Sequence, residues 1–555
     1  MLMSMAMVPF KIALAQINPT LGAFLENSRL ILRGVKRAHS EGCDLVVFPE
    51  ASLFGYHPMD LLERQSIVEA QMKVLDSLQK QLPKGIGVFI GAIVPSGKKR
   101  GKAYYNAALF LQQGKKPRVF PKQLLPTYDV FDESRHIEPG ETAKNIFSFK
   151  GKKLIVTICE DIWAWNSPYS PAYARYGQNP LAEIQSTDID LVVNLSASPF
   201  TDEKLKARQF VVAQTARHFG APMLYVNMVG GQDEMVFDGG SYAVDDKGRT
   251  LIQCRRFEED FKVIDFSHLP KRSGKTGLDQ LTEDLTEQRR QAIVLGLRDF
   301  VRKTGFQRVH LGLSGGVDSA VVACLAAEAL GPESVAALTL PGPYTSEEGL
   351  AATHELAKRL GIGCYQLPIG DLFERQVEAL DKLFGMGNFG LTHENLQARQ
   401  RALFLMAYAN KYHSLLLNTS NKSELAMGYS TLYGDLSGGI CVIGDLLKRE
   451  VYDLARLFQR EGDLIPEFII DRPPSAELAA NQKDEDHLPP YSQLDGVVEK
   501  LVEGHSKARG TLDQQVLKAM MGSEFKRWQA PPILKLSSHS FGRGRRFPIA
   551  HRAYY

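Results

Sequence analysis

Between Lys11 and about Phe266 the chain alternates short, β-rich apolar runs with stretches of helical spacing. The runs are Lys11–Ala15, Leu45–Phe48, Val88–Ile93, Ala107–Leu111, Leu154–Ile158, Leu191–Leu195 and Met223–Asn227. Runs this short, recurring between helical segments, predict the strands of a layered α/β domain. Apolar periodicity then stops. Pro270 to Thr276 combines turn formers with the cations Lys271, Arg272 and Lys275, which predicts a linker over 269–277. Helical spacing resumes through Leu285–Phe300. A strand over 309–313, a helix to about Leu330, a strand Val335–Leu340 and a helix Ser346–Leu360 follow. That βαβα order predicts a second domain built on a doubly wound parallel sheet, with ligands at the carboxyl ends of its strands. The expected domains are 11–268 and 278–555. Asp471 to Tyr491 is rich in proline and charge and predicts a long loop.

Composition narrows the function classes. At 555 residues the chain exceeds what one core usually supports, in keeping with two domains. A formal net charge of +3 with interspersed signs leaves no footprint for nucleic acid or membrane, so the expected partners are small molecules. The six cysteines, Cys43, Cys159, Cys254, Cys324, Cys364 and Cys441, form no C-x-x-C pair. This argues against a disulfide framework or a cysteine zinc site and fits a reducing cytoplasm. Met1 to Phe10 is apolar but has no basic leader region or cleavage site, and no 18-residue apolar run occurs, so no export is expected. Towards the end, Lys526, Arg527, Lys535, Arg543, Arg545, Arg546 and Arg552 stand against one acid, Glu524. A basic tail folded over a phosphate site and a solvated chain end are both open readings.

The strand over 309–313 runs into Ser314-Gly315-Gly316-Val317-Asp318-Ser319 and then a helix start. Paired glycines let main-chain N–H groups converge, and the helix N-terminus adds unpaired donors, which makes an anion cradle suited to polyphosphate. Gly312, Leu313, Ser314, Gly315, Gly316, Val317, Asp318 and Ser319 are the candidate ATP-binding residues. No lysine precedes Ser319, so the loop is not the cradle of phosphoryl-transfer NTPases. It resembles the loop of ATP pyrophosphatases, which adenylate a substrate and release pyrophosphate.

In the first domain three strand ends each carry one reactive group: Glu50 after Val47-Phe48-Pro49, Lys122 after Phe120-Pro121, and Cys159 after Thr157-Ile158. Singly, each has a structural explanation. Jointly they suit amide hydrolysis. A thiol attacks only as thiolate, so it needs a base, Glu50, and a positive neighbour; Lys122 can also stabilise the oxyanion of the tetrahedral intermediate. Val47–Glu50, Lys122-Gln123-Leu124-Leu125-Pro126 and Ile158-Cys159-Glu160-Asp161 resemble the signatures of the nitrilase, or carbon–nitrogen hydrolase, superfamily. That resemblance implies an α-β-β-α sandwich. Asn194–Phe200 and Asn227–Asp233 resemble the branch fused to a synthetase, where the domain is a glutaminase. In that branch Tyr128, Ser198 and Lys204 correspond to glutamine-binding positions, and Glu133 to the second glutamate beside the lysine.

A carboxylate does not react with ammonia at neutral pH, and ATP removes the obstacle by converting it to an acyl adenylate. Besides the cradle this needs an acid for Mg²⁺ and a site for the acceptor. Asp318 is one candidate ligand. Leu415–Asn418 offers a second strand end, with Thr419 to reach nucleotide and Glu424 to reach metal or substrate. Pro341–Ser346, His393–Arg399, Gly444–Lys448, and Pro473–Leu478 with Gln482–Asp486 resemble the NAD⁺ synthetase family. The resemblance implies that Asn395, Glu424, Lys535 and Arg399 meet deamido-NAD⁺, that Thr419 contacts ATP as co-substrate, and that the chain is a homo-oligomer, while Mg²⁺ is expected on Asp318 and Glu424 from the chemistry above. The expected reaction takes ATP, deamido-NAD⁺, glutamine and water to NAD⁺, AMP, pyrophosphate and glutamate, with ammonia shielded on its way between sites. Another glutamine-dependent amidotransferase of this ATP class, or a silent nucleotide-binding scaffold, remain the alternatives.

Overall fold

Period-two alternation in the first strand sends Ile12 and Leu14 to one face and Ala13 and Ala15 to the other, and all four are buried. A strand covered on both faces requires two layers of partners. In the computed structural model, which describes residues 10–169, 176–184, 188–266 and 284–553, those layers are a second sheet and a pair of helices. The contacts divide the chain into two units, the first ending at Glu283 and the second beginning at Asp284, with Asp233–Met235 grouped with the second. The linker at 269–277, and the apolar start before Phe10, lie outside the described residues.

The first unit holds two six-stranded sheets. One is ordered Asp260–Asp265, Lys11–Gln16, Leu45–Val47, Gly87–Pro95, Tyr104–Leu111, Arg118–Pro121. The other is ordered Thr250–Gln253, Tyr242–Val244, Met223–Asn227, Leu191–Ser196, Lys152–Ile158, Ile146–Phe149. Their inner faces interlock through Ile12, Leu14, Val47 and Phe89 from one sheet and Val156, Ile158, Val193 and Leu224 from the other. Outside the first sheet, helices Phe24–Ser40 and Gln65–Lys80 bury Ile31, Val35, Leu75 and Leu78 against Ala13, Val46 and Ile90. Outside the second, helix Lys204–Phe219 buries Val211, Val212 and Ala216 against Ile155, Val192 and Met223. The result is the expected α-β-β-α sandwich. Three parallel neighbours, Lys152–Ile158, Leu191–Ser196 and Met223–Asn227, bring their carboxyl ends to one edge, where Cys159, Ala197 and Met228 follow.

The second unit carries a five-stranded parallel sheet ordered Gly363–Gln366, Val335–Thr339, Val309–Gly312, Leu415–Asn418, Ile440–Cys441. The chain builds outward from Val309–Gly312 to one edge and then returns to its other side, which is the doubly wound pattern. Helix Val317–Leu330 is apolar all round and buried among its neighbours, as a central helix must be. One reading differs from the structure in detail. The 471–491 segment is irregular but contains a short 3₁₀ turn, Asp484–Asp486, closed by the Asp486 carboxylate on the Lys483 N–H. Helix Leu391–Tyr412 has a mixed pattern: it buries His393, Gln397 and Gln400 with Ala398 and Ala402, while Leu391 and Leu403 are 71% and 63% exposed, so apolar periodicity does not report its core face.

Candidate functional site

Glu50 lies one turn past strand Leu45–Val47, pressed against strand Gly87–Pro95. A Cβ on Gly91 would stand 2.0 Å from the Ala51 nitrogen, so glycine is what lets the two backbones meet there. Lys122 follows strand Arg118–Pro121, its N–H bonded to the Asn106 carbonyl at 2.8 Å. Cys159 opens a 3₁₀ turn directly after Lys152–Ile158, with φ at +38°.

These side chains converge. Lys122 Nζ donates to Glu50 Oε1 at 2.8 Å and to Glu133 Oε1 at 2.7 Å, and all three residues are buried. Asn106 Nδ2 adds a bond to Glu50 Oε1 at 2.7 Å, and the Ala197 N–H donates to Glu50 Oε2 at 2.9 Å. Tyr56 Oη donates to Glu133 Oε1 at 2.7 Å. Burial pushes the Glu50 carboxyl up, with Lys122 pulling the other way. Burial also opposes the charge on Lys122, yet Glu133 and Glu50 hold its proton far above the usual lysine range. The Cys159 thiol is pushed well up by burial and then by Glu50, offset by Lys122 and by the Ala197 N–H. The resting arrangement is thus a neutral thiol beside a carboxylate that wants a proton, which suits proton transfer on attack.

Cys159 and Lys122 open onto a small pocket with Tyr128, Glu160, Trp163, Ser198 and Lys204. Tyr128 and Tyr176 both donate to Glu160 Oε1, at 2.9 and 2.8 Å. Lys204 Nζ lies 4.0 Å over the Trp163 ring, and burial lowers its pKa with Glu160 opposing. Beyond Lys122, Glu160 and Lys204 give the pocket one carboxylate and one ammonium, which match the two charges of an amino acid zwitterion. All four glutamine-binding candidates therefore fall at or beside the thiol: Tyr128, Ser198 and Lys204 in the pocket, Glu133 through Lys122. Tyr56, Asn106, Glu160 and Trp163 were missed as site residues; of these Glu160 sits inside the quoted Ile-Cys-Glu-Asp stretch, and the others carry no local signal.

In the second unit the cradle leaves strand Val309–Gly312, and Thr419 leaves its neighbour Leu415–Asn418 at the point where strand order reverses. Gly315 has φ +81°, and a Cβ there would meet the Gly349 carbonyl at 2.9 Å. A cavity of about 270 Å³ opens above, bounded by Gly312, Ser314, Gly316, Asp318, Ser319, Thr419 and Glu424, with Leu338, Ala402 and Leu405 as an apolar wall. The Arg472–Leu478 stretch lies along it, held by Arg472 Nη2 on Glu477 Oε1 at 2.6 Å and Ser346 Oγ on the same oxygen at 3.1 Å. Lys448 Nζ donates to Asp318 Oδ2 at 2.6 Å and Glu424 Oε1 at 3.2 Å. Burial raises the Glu424 pKa to about 8, with Lys448 pulling it down and Asp318 and Asp484 adding to the rise. Lys448 and Asp484 went unassigned from sequence although both stand in quoted motifs.

Asn395, Arg399 and Lys535 are not among the residues bounding this cavity. Asn395 Oδ1 accepts from Thr431 Oγ1 at 2.6 Å, Arg399 is exposed with Nε on the Leu432 carbonyl, and Lys535 is buried on the carbonyls of Ser537 and Ser538. The basic tail does not bound the phosphate cavity; its first part is packed, while Arg543, Arg546 and Arg552 are exposed. Arg527 is buried, paired with Glu524 at 2.8 Å and with the Leu425 carbonyl, and Lys526 holds the carbonyls of Gly428 and Ser430. These cations are engaged locally because the segment packs against helix Lys422–Met427 and the turn after it, where bare carbonyls need donors.

Comparison with known proteins matches both halves. Residues 11–267 match the carbon–nitrogen hydrolase family and residues 289–530 the NAD synthase family. A glutamine-dependent NAD(+) synthetase of Synechocystis sp. is 41% identical over 552 residues, 98% of each chain, and one of Thermotoga maritima is 37% identical over 587 residues, again 98% of each. The solved structure of a glutamine-dependent NAD+ synthetase from Acinetobacter baumannii in complex with ADP is 32% identical, with a TM-score of 0.76 and 98% of each chain covered.

Proposed function

The chain belongs to the glutamine-dependent NAD⁺ synthetases, and from that premise we propose that it makes NAD⁺ from deamido-NAD⁺, ATP and glutamine. The observation that carries the reading is the presence, in one chain related end to end to these enzymes, of a buried Glu–Lys–Cys cluster and a glycine-cradled nucleotide cavity.

In the first unit, which we assign to residues 11–268, Glu50 takes the Cys159 proton as the thiolate attacks the glutamine carboxamide. Lys122 stabilises the oxyanion, and the departing ammonia regains a proton from Glu50. Water, deprotonated by Glu50, then cleaves the thioester to glutamate and restores the thiol. Lys204 and Glu160, with Tyr128 and Ser198, are assigned to the α-carboxylate and α-ammonium ends of glutamine. In the second unit, assigned to 278–555, the nicotinate carboxylate attacks the α-phosphorus of ATP and pyrophosphate leaves into the donors of Ser314–Ser319. Ammonia displaces AMP from the adenylate to give the amide. Asn395, Arg399, Lys535 and Glu424 are assigned to deamido-NAD⁺ from the motif resemblance.

The carboxylates of Asp318, Glu424 and Asp484 all bound the nucleotide cavity, Lys448 bridging the first two, and hard oxygen donors beside a phosphate cradle are what supports Mg²⁺ there. These residues would hold the ion, which when bound neutralises phosphate charge. A homo-oligomer is supported by the exposed apolar residues Leu383, Phe384, Leu391 and Leu403, and sedimentation as a monomer at micromolar concentration would count against it. Six unpaired cysteines fit a reducing, cytoplasmic setting, and among the described residues no helix is long and apolar enough to cross a membrane.

The test is Cys159→Ala. Glutamine-driven synthesis is expected to vanish while added ammonium still supports NAD⁺ formation. Loss of both activities, or retention of the glutamine-driven one, would overturn the division of labour.

A further inference from the structure

We propose that Asp161 is a positioning residue of the amide-hydrolysing site, stapling the Cys159 turn to the Lys122 loop; this rests on the reading of Glu50, Lys122 and Cys159 given above. Asp161 is fully buried. Its Oδ2 accepts from the N–H of Ile158, the residue before Cys159, at 2.9 Å. Its Oδ1 accepts from the N–H groups of Gln123 and Leu124, the two residues after Lys122, at 2.9 Å each. One carboxylate therefore binds the backbone beside the nucleophile and the backbone beside the oxyanion lysine, although the loops are separate in sequence.

The Cys159 backbone gives the staple its purpose. At φ +38° this residue occupies a conformation that a Cβ disfavours, and such conformations persist only where the surroundings over-determine them. The strand Lys152–Ile158 fixes the turn from one side, and Asp161 fixes it from the other. Asp161 does not bound the pocket, so it acts through Cys159 and Lys122 and not on the substrate. Burial pushes its pKa up to about 6 while the N–H groups of Leu124 and Ile158, then Lys122 and Gln123, pull it down, which leaves it ionised at neutral pH. Three converging donors and no acceptor call for a group that only accepts. An asparagine of the same volume would keep an oxygen for Gln123 and Leu124 but turn an N–H₂ toward Ile158.

The experiment uses the full chain with Asp161→Asn and Asp161→Ala, assaying glutaminase per titrated Cys159 thiol in the folded fraction and ammonium-driven NAD⁺ synthesis in the same samples. The kcat for glutamine is expected to fall roughly 100-fold in Asp161→Ala, the scale of a misplaced catalytic group, with KM little changed and a smaller loss in Asp161→Asn. The pH profile of the glutaminase is expected to shift upward as the thiolate loses its aligned Lys122, while ammonium-driven synthesis stays at the wild-type rate. A purely structural role would lower the folded fraction without moving the profile. An unmoved profile with wild-type kcat per thiol in both variants overturns the proposal. If Cys159→Ala itself retained glutaminase, the failure would lie in the underlying site reading and not in the staple.

Discussion

Replacing Lys122 by methionine keeps an unbranched side chain one atom shorter and removes its charge. Glu50 Oε1 and Glu133 Oε1 lie 2.8 and 2.7 Å from the same ammonium, so the variant leaves two carboxyl groups facing the space that it filled. All three residues are 4% exposed or less, so solvent offers little compensation. Removing one partner of a buried ionic cluster costs about 3–5 kcal/mol, which for a unit of this size lowers the melting temperature by roughly 6–20 °C. Loss of the oxyanion donor costs a further factor of about 10²–10³ in glutaminase kcat. The two effects separate by pH. Burial already holds the Glu50 pKa above its unfolded value, and loss of Lys122 raises it further. A carboxyl with a raised folded pKa favours folding on the protonated, low-pH side, and that contribution is lost as pH rises through the folded value. The melting deficit of Lys122→Met is therefore smallest near pH 5 and grows toward pH 8. Differential scanning calorimetry across that range, with glutaminase assays beside it, measures both. Adding Glu133→Gln should recover stability but not activity. An unchanged melting curve at pH 8 together with a glutaminase loss below tenfold would refute the account of a buried ionic cluster at the thiol.

Two further outcomes concern the nucleotide cavity. Lys448→Ala strips Asp318 and Glu424 of their shared ammonium and should lower ammonium-driven synthesis about 100-fold while ATP-independent glutaminase persists; a parallel loss of both would point to misfolding instead. Because the Glu424 pKa is raised to about 8 amid Asp318, Asp484 and Lys448, apparent Mg²⁺ affinity should weaken as pH falls below about 8 and level off above it, and a flat Mg²⁺ titration between pH 6.5 and 9 would remove Glu424 from the ion's site.

The strand-end reagents were legible because their positions follow from local pattern. Glu50 and Cys159 come within three residues of an apolar run and Lys122 directly follows Phe120-Pro121, and the runs match the observed strands to within three residues at either end. The cradle was legible for the same reason, since a strand, two glycines and a helix start occupy adjacent positions. Lys448 was not, although its motif was noted. Its partner Asp318 is 130 residues away, and nothing near Lys448 records that distance. The long helix Leu391–Tyr412 shows no clean apolar stripe: it buries His393, Gln397 and Gln400 beside Ala398 and Ala402 while Leu391 and Leu403 are exposed, so periodicity does not mark its core face. In the basic tail, charge counts do not register that Glu524 and the carbonyls of Leu425, Gly428 and Ser430 occupy Lys526 and Arg527, while Arg546 and Arg552 stay exposed.

By itself the sequence determined the two domain types, the central strands of each, and the residue kinds at the strand ends. These rest on side-chain periodicity and turn chemistry, which act over a few residues. Only the tertiary structure decided that Lys122 lies between two carboxylates, that Glu160 and Lys204 share a pocket with the thiol, and that Asp161 ties the turn after one strand to the loop after another. Those are contacts between elements far apart in the chain, set by how two sheets pack and where parallel strands end together, and no local pattern encodes them.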